Sequence, residues 1–177
     1  MSSNEQSRCL WGILLAILGA GCLSAASASR GYPLYPVSSG RPTVSQVATL
    51  SATVGVGAMS RRGGPSIFIK KVDGRDVSEL GATFELLPGC HVVEPASPAL
   101  AQRWAPSDTV GPQAFVLSMQ AGHAYTIVLD LFEGGVGGRR RNLYGVEQDS
   151  SWQRTATFQP VTPETAARAC APRVNSP

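Results

Sequence analysis

Apolar and polar residues alternate along much of this chain. Ala48, Leu50, Ala52, Val54 and Val56 alternate with Thr49, Ser51, Thr53 and Gly55, the period of a strand with one buried face. "SIFIKKV" (66–72), "GATFELL" (81–87) and "CHVVE" (90–94) continue the pattern. Asp73-Gly74 and Pro88-Gly89 supply turns between them. "QAFVLSMQ" (113–120) and "HAYTIVLDLF" (123–132) flank Ala121-Gly122 as a hairpin, with Phe115, Leu117 and Met119 on one face of its first strand. "SWQRTATFQ" (151–159) reads as the last strand.

The intervening stretches are predicted loops: "MSRRGGP" (59–65), residues 95–112 with their four prolines and Trp104, and the glycine-rich "EGGVGGRRRN" (133–142). "TPETAARAC" (162–170) predicts a short terminal helix with Thr162 as N-cap and Pro163 at N1. About seven strands joined by turns, with one helix, predict an all-β fold: a compact antiparallel β-sandwich spanning 44–177.

The first 28 residues break this pattern and read as a signal peptide. "LWGILLAILGAGCL" (10–23) is an uncharged apolar run, short for a membrane-spanning helix, and Arg8 precedes it. Two processing sites fit. "LGAGC" (18–22) resembles a bacterial lipobox, in which Cys22 is diacylated and becomes the new N-terminus, although Gly19 stands where such motifs usually carry Leu. "ASA" (26–28) is an A-x-A site for ordinary signal peptidase, which would release a soluble periplasmic or secreted protein. Residues 24–43, rich in Ser, Ala, Gly and Pro without apolar period, predict a flexible tether.

Composition agrees with short strands: 43% hydrophobic and 15% charged residues, 19 Gly and 13 Pro. The net charge of +3 is carried mostly by Arg, with Lys only at Lys70 and Lys71, and lacks the dense basic face of a nucleic-acid binder.

Export also settles how the cysteines read. Cleavage at either site removes Cys9, and Cys22 carries lipid if it is retained, leaving Cys90 and Cys170 in the exported domain. Two cysteines in an oxidising compartment predict a disulfide. Cys90-His91 as nucleophile and base is disfavoured, because neighbouring side chains on a strand face opposite ways. A zinc site would need more ligands than these two Cys and two His provide.

"IKKVDGRD", "FELLPGCHVVE" and "LSMQAGHAYTI" together resemble a pattern of uncharacterised exported bacterial proteins, many of them lipoproteins. In these, a VDG hairpin, a PG-x-H strand and an AG-x-x-Y hairpin belong to a β-sandwich loosely similar to PEGA-type surface modules. The resemblance covers roughly Ile67 to Leu129 and implies fold rather than chemistry; it brings no catalytic residues.

The leading expectation is therefore a non-enzymatic lipoprotein of the bacterial cell envelope, held at a membrane (the outer membrane) by Cys22. It would bind an envelope protein or polymer, with no cofactor. Arg139, Arg140 and Arg141 on the glycine loop are candidate contacts for an anionic partner. A hydrolase with its chemistry in the loops around Trp104 or Arg139 is the competing class. A third reading is a weak metal or small-molecule site using His91 and His123. Asp73, Asp76 and Glu79 could hold calcium but lack an EF-hand pattern.

Overall fold

A computed structural model of the chain describes residues 30–38, 40–55, 66–101, 111–134 and 138–170, with side chains described outside 132–140. In chain order the strands are β1 (Tyr32–Pro33), β2 (Ala48–Val54), β3 (Phe68–Val72), β4 (Arg75–Asp76), β5 (Thr83–Leu86), β6 (Gly89–Ala96), β7 (Phe115–Met119), β8 (Ala124–Gly134), β9 (Gly138–Gln148) and β10 (Arg154–Phe158). Helix α1, Pro163–Ala169, follows. The strands form a six-stranded sheet, β1-β5-β2-β8-β9-β10, and a four-stranded sheet, β4-β3-β6-β7.

The core lies between the two sheets. Leu50, Phe84, Tyr125, Ile127 and Leu129 of the large sheet share one buried cluster with Ile69, Val72, Val93, Phe115 and Leu117 of the small one. Gly145 makes room in that layer, since a Cβ there would come within 3.4 Å of both Phe115 and Phe158. The alternation read along 48–54 and 113–131 is thus the inward and outward alternation of the sandwich, whereas in β3 a register shift between Ile69 and Lys71 turns both Ile69 and Val72 inward.

Three features depart from the sequence reading. First, the large sheet is mixed: β2 runs parallel to β8, from Thr49↔Ala124 to Val54↔Leu129, and β1 runs parallel to β5. Hairpin signals report only pairings between sequence neighbours, whereas β2 and β8 meet across all the intervening strands of the small sheet. Second, "EGGVGGRRRN" is not simply a loop, because β8 and β9 pair continuously from Ala124↔Gln148 to Gly134↔Gly138. The inward positions of β9 include Gly145 and Glu147, so its apolar period is broken and no strand is legible there.

Third, residues 30–43 are not a free tether. Leu34 N–H donates to Glu85 O, Tyr35 is buried, and Leu34 packs on the core. Gly31 permits the approach, because a Cβ there would lie 2.9 Å from the backbone of Thr83 and Phe84. The folded unit begins by Arg30, well before the expected boundary at 44.

Helix α1 is capped as expected: Thr162 Oγ1 accepts from Thr165 N–H, and Pro163 opens the first turn. It packs against β6 and β7. Cys170 forms a disulfide with Cys90 at a Cα–Cα separation of 5.5 Å, closing a loop across 80 residues of sequence.

Candidate functional site

The strand registers bring six connections to one end of the sandwich. β2 begins at Ala48, opposite Leu86 at the end of β5. β8 begins beside Thr49, and Gln148 at the end of β9 pairs with Ala124. Gly89 pairs with Met119, and Asp73 N–H donates to Val92 O. This end therefore gathers the strap 34–47, the Asp73-Gly74 turn, the Leu87-Pro88 turn, the 120–123 turn, the 149–153 turn and, through Cys90, the C-cap of α1. Three clusters of polar side chains lie among these connections.

The first cluster fastens the strap. Phe84 and Leu86 face the core, so Glu85 points to the other face of the large sheet, where it would meet water if left uncovered. Instead it is only 2% exposed. Arg30 donates Nε to Oε1 at 2.7 Å and Nη2 to Oε2 at 3.0 Å, a bidentate pair. Tyr35 OH donates to Oε2 at 2.7 Å and Arg41 Nε to the same oxygen at 3.1 Å. The two arginines also tie the strap to itself, Arg30 donating to Pro42 O and Arg41 to Gly31 O. Burial by itself would raise the Glu85 carboxyl, but the hydrogen bonds from Arg30, Tyr35 and Arg41 outweigh it and hold the group below the usual range. Two guanidiniums face one carboxylate, so the cluster keeps one surplus positive charge.

The second cluster sits at the 120–123 turn. Glu147, 6% exposed, accepts from Tyr125 OH at 2.8 Å, and its Oε1 lies 2.9 Å from His123 Nδ1. Tyr125 OH accepts from Gln120 N–H in turn. Burial, then the bond to Glu147, pushes the Tyr125 phenol up to about 12.

In the third cluster Asp73 holds the β3–β4 turn against β6. Its Oδ1 accepts Val92 N–H and its Oδ2 lies 2.7 Å from His91 Nδ1, while His91 Nε2 lies 2.8 Å from Leu87 O. Asp73 and Gly74 adopt φ of 50° and 80°, the left-handed pair that a two-residue Asp-Gly hairpin needs. A cleft of about 270 Å³ lies beside this cluster, walled by Leu34, Tyr35, Pro36, Val72 and Leu87 with Arg75 and His91.

Cys90 and Cys170 are bonded, and His91 takes no part in their chemistry. His91 and His123 are each engaged with their own carboxylate in different sheets, not with one another. Among the described residues no group of three or more His, Cys, Asp or Glu side chains is placed to hold a metal. Asp76 Oδ1 accepts the N–H and Oγ of Ser78, and Asp73 the bonds above, so turn chemistry accounts for both.

Arg141 does not project from a loop: it sits in β9 opposite Leu131 and donates Nη1 to Ala99 O, which pins the long hairpin to the other end of the sandwich. A larger cleft of about 510 Å³ lies at that far end, lined by Lys70, Lys71, Glu94, Ser97, Leu100 and Gln113 among others. Cys22, Trp104 and the side chains of Arg139 and Arg140 lie outside the described residues. Glu85 and Glu147 carry no motif that marks them in the sequence. The one signal for Glu85 was a charged residue within an otherwise apolar strand, in "TFELL".

Compared with known proteins, the chain matches no family model, no curated protein and no solved structure.

Proposed function

We propose that this protein is a non-enzymatic, lipid-anchored module of the bacterial cell envelope that acts by binding an envelope protein or polymer. The observation that carries the reading is the position of the Glu85 clamp. It fastens the chain at Arg30, directly after the two candidate processing sites at Cys22 and Ala28. A diacylated Cys22 would then be joined to a rigid sandwich, with the chain held by a bidentate pair at its point of entry. The β-sandwich and its disulfide suit an oxidising extracytoplasmic compartment.

The test is expression in a bacterial host that processes lipoproteins, followed by fractionation and intact-mass measurement. The mature protein should partition with membranes and carry acyl mass on Cys22. Cys22→Ala should accumulate as precursor, or be cut after Ala28 and released. A wild-type mature chain starting at Ser29 without lipid would overturn the anchor and leave a soluble periplasmic or secreted protein.

A further inference from the structure

We infer that the free edge of β10 is a self-association surface, at which a second copy of this chain adds its own β10 antiparallel about a two-fold axis through Ala156. This goes beyond the anchor reading and does not rest on it. The outer edge of a sheet presents unpaired backbone N–H and C=O groups, a template for one more strand. Four strands stand at sheet edges among the described residues: β1, β4, β7 and β10. β1 and β4 have two residues each. β7 is flanked at its start by the bridge between Ala114 and Val161, and Ser118 O already accepts from Tyr125 OH. β10 offers five residues, and the strand it pairs with is β9 alone among those described. Apart from a bulge at Thr155, it lacks the devices that shield such an edge, for it contains no proline, no lysine and no acidic residue.

The sequence along this edge is matched to itself. Residues 153–159 read Gln-Arg-Thr-Ala-Thr-Phe-Gln, the same in either direction but for the exchange of Arg154 and Phe158. An antiparallel pair centred on Ala156 sets Thr155 opposite Thr157 of the other copy and Gln153 opposite Gln159, each twice. These four side chains are exposed, while Ala156, Phe158 and Pro160 between and beyond them are half-buried. Opposed threonines and opposed glutamines hydrogen-bond across a ladder. Thr155 is the bulged residue, the one in β10 without a partner on β9. Its Oγ1 donates to Glu147 O and keeps its lone pairs to accept from Thr157 of the other copy.

Charge agrees with the same register. Arg154 is the one charged residue of β10, and the two-fold sets it opposite the Phe158 ring rather than its own image. The two Arg154 lie four residues apart along the ladder, about 13 Å, beyond the screening length of about 8 Å at physiological salt. Phe158 is fixed to serve as the other side of that contact, because it packs on the core with its ring 6.3 Å from that of Tyr125. The ladder ends at Gln153, where the 149–153 turn begins. There Trp152, 72% exposed and tied by its N–H to Asp149 O, comes beside Pro160 of the other copy.

The test uses the full-length protein, in the membranes of its expression host and in detergent. Ala156→Cys puts a thiol on the axis, where opposed Cα atoms about 4.5–5.5 Å apart fall within the span of a disulfide. Mild oxidation should give a band of twice the mass on non-reducing gels, whereas wild type and Ser150→Cys should stay at the mass of one chain. Thr155→Lys with Thr157→Lys opposes like charges twice where two threonine pairs stood, and should cut the dimer about tenfold. Thr155→Lys with Thr157→Glu opposes lysine to glutamate twice and should restore it. Sedimentation equilibrium of the same charge variants without the added cysteine should give the same order, so a folding defect in Ala156→Cys cannot decide the outcome. A wild-type chain that sediments as a monomer at every concentration would overturn the inference. So would a Lys–Glu variant that dimerises no better than the Lys–Lys variant. Cross-linking of Ala156→Cys to a protein of another mass would overturn it too, and would give the edge to a different partner's strand.

Discussion

Replacing Glu85 with alanine should release the strap, and the structure sets the size of the effect. Four donors converge on this carboxylate: Arg30 through two nitrogens, Tyr35 through its hydroxyl and Arg41 through Nε. Removing one partner of a buried ion pair costs about 3–5 kcal/mol. Arg30 and Arg41 keep 30% and 35% of their side-chain surface in water, so each regains hydration when the carboxylate is lost. That places Glu85→Ala near the low end, about 3 kcal/mol.

Glu85→Gln keeps the shape and one acceptor oxygen but loses the charge, and should cost roughly half as much, about 1.5 kcal/mol. Urea denaturation measures the totals, and hydrogen exchange of 31–43 locates them. The effect should also depend on pH. The folded-state pKa of Glu85 is depressed, so its stabilisation is complete above the unfolded glutamate value of about 4.3 and is lost as pH falls through the folded value. Glu85→Gln should flatten the stability profile in that acid window. A Glu85→Ala protein within about 0.5 kcal/mol of wild type, with strap protection unchanged, would refute the clamp.

The remaining predictions concern other joints of the fold. Cys90→Ser with Cys170→Ser should cost about 2–5 kcal/mol and loosen α1 first, because seven residues make too short a helix to stand alone; the β signal in circular dichroism should persist. Tyr125→Phe leaves the buried Glu147 short of a donor and should cost about 1–3 kcal/mol in urea denaturation. In wild type the Tyr125 phenol should resist ionisation until about pH 12 in an absorbance titration. Its folded-state value lies above the unfolded one, so the matching loss of stability should run from about pH 10 up to that value. Trp152 holds φ at 63°, a left-handed position that disfavours any side chain, so Trp152→Gly should be neutral or stabilising by up to about 1 kcal/mol. A clear loss of stability there would show that the indole supports the turn.

The sequence by itself determined what depends on neighbours in the chain. Alternation along 48–54 and 113–131 showed which residues face the core, because a strand's side chains change face at every step, while the register shift in β3 that turns both Ile69 and Val72 inward had no local signal. Asp73-Gly74 and Ala121-Gly122 marked turns that need left-handed backbone, and Thr162-Pro163 marked the start of α1. The pairing of Cys90 with Cys170 was legible because these are the two cysteines that lie beyond the apolar N-terminal run, which leaves one intramolecular bond for them to form.

Only the tertiary structure decided what depends on distant segments. The parallel pairing of β2 with β8 joins residues about 75 positions apart, and no local signal encodes it. Strand β9 hid because Gly145 and Glu147 occupy inward positions, and each is acceptable only beside its partners, Phe115 for the glycine and Tyr125 for the acid. The strap read as tether for the same reason. Residues 30–43 bury little apolar surface of their own, and they are held by a carboxylate some 50 residues away that burial would destabilise if it stood alone.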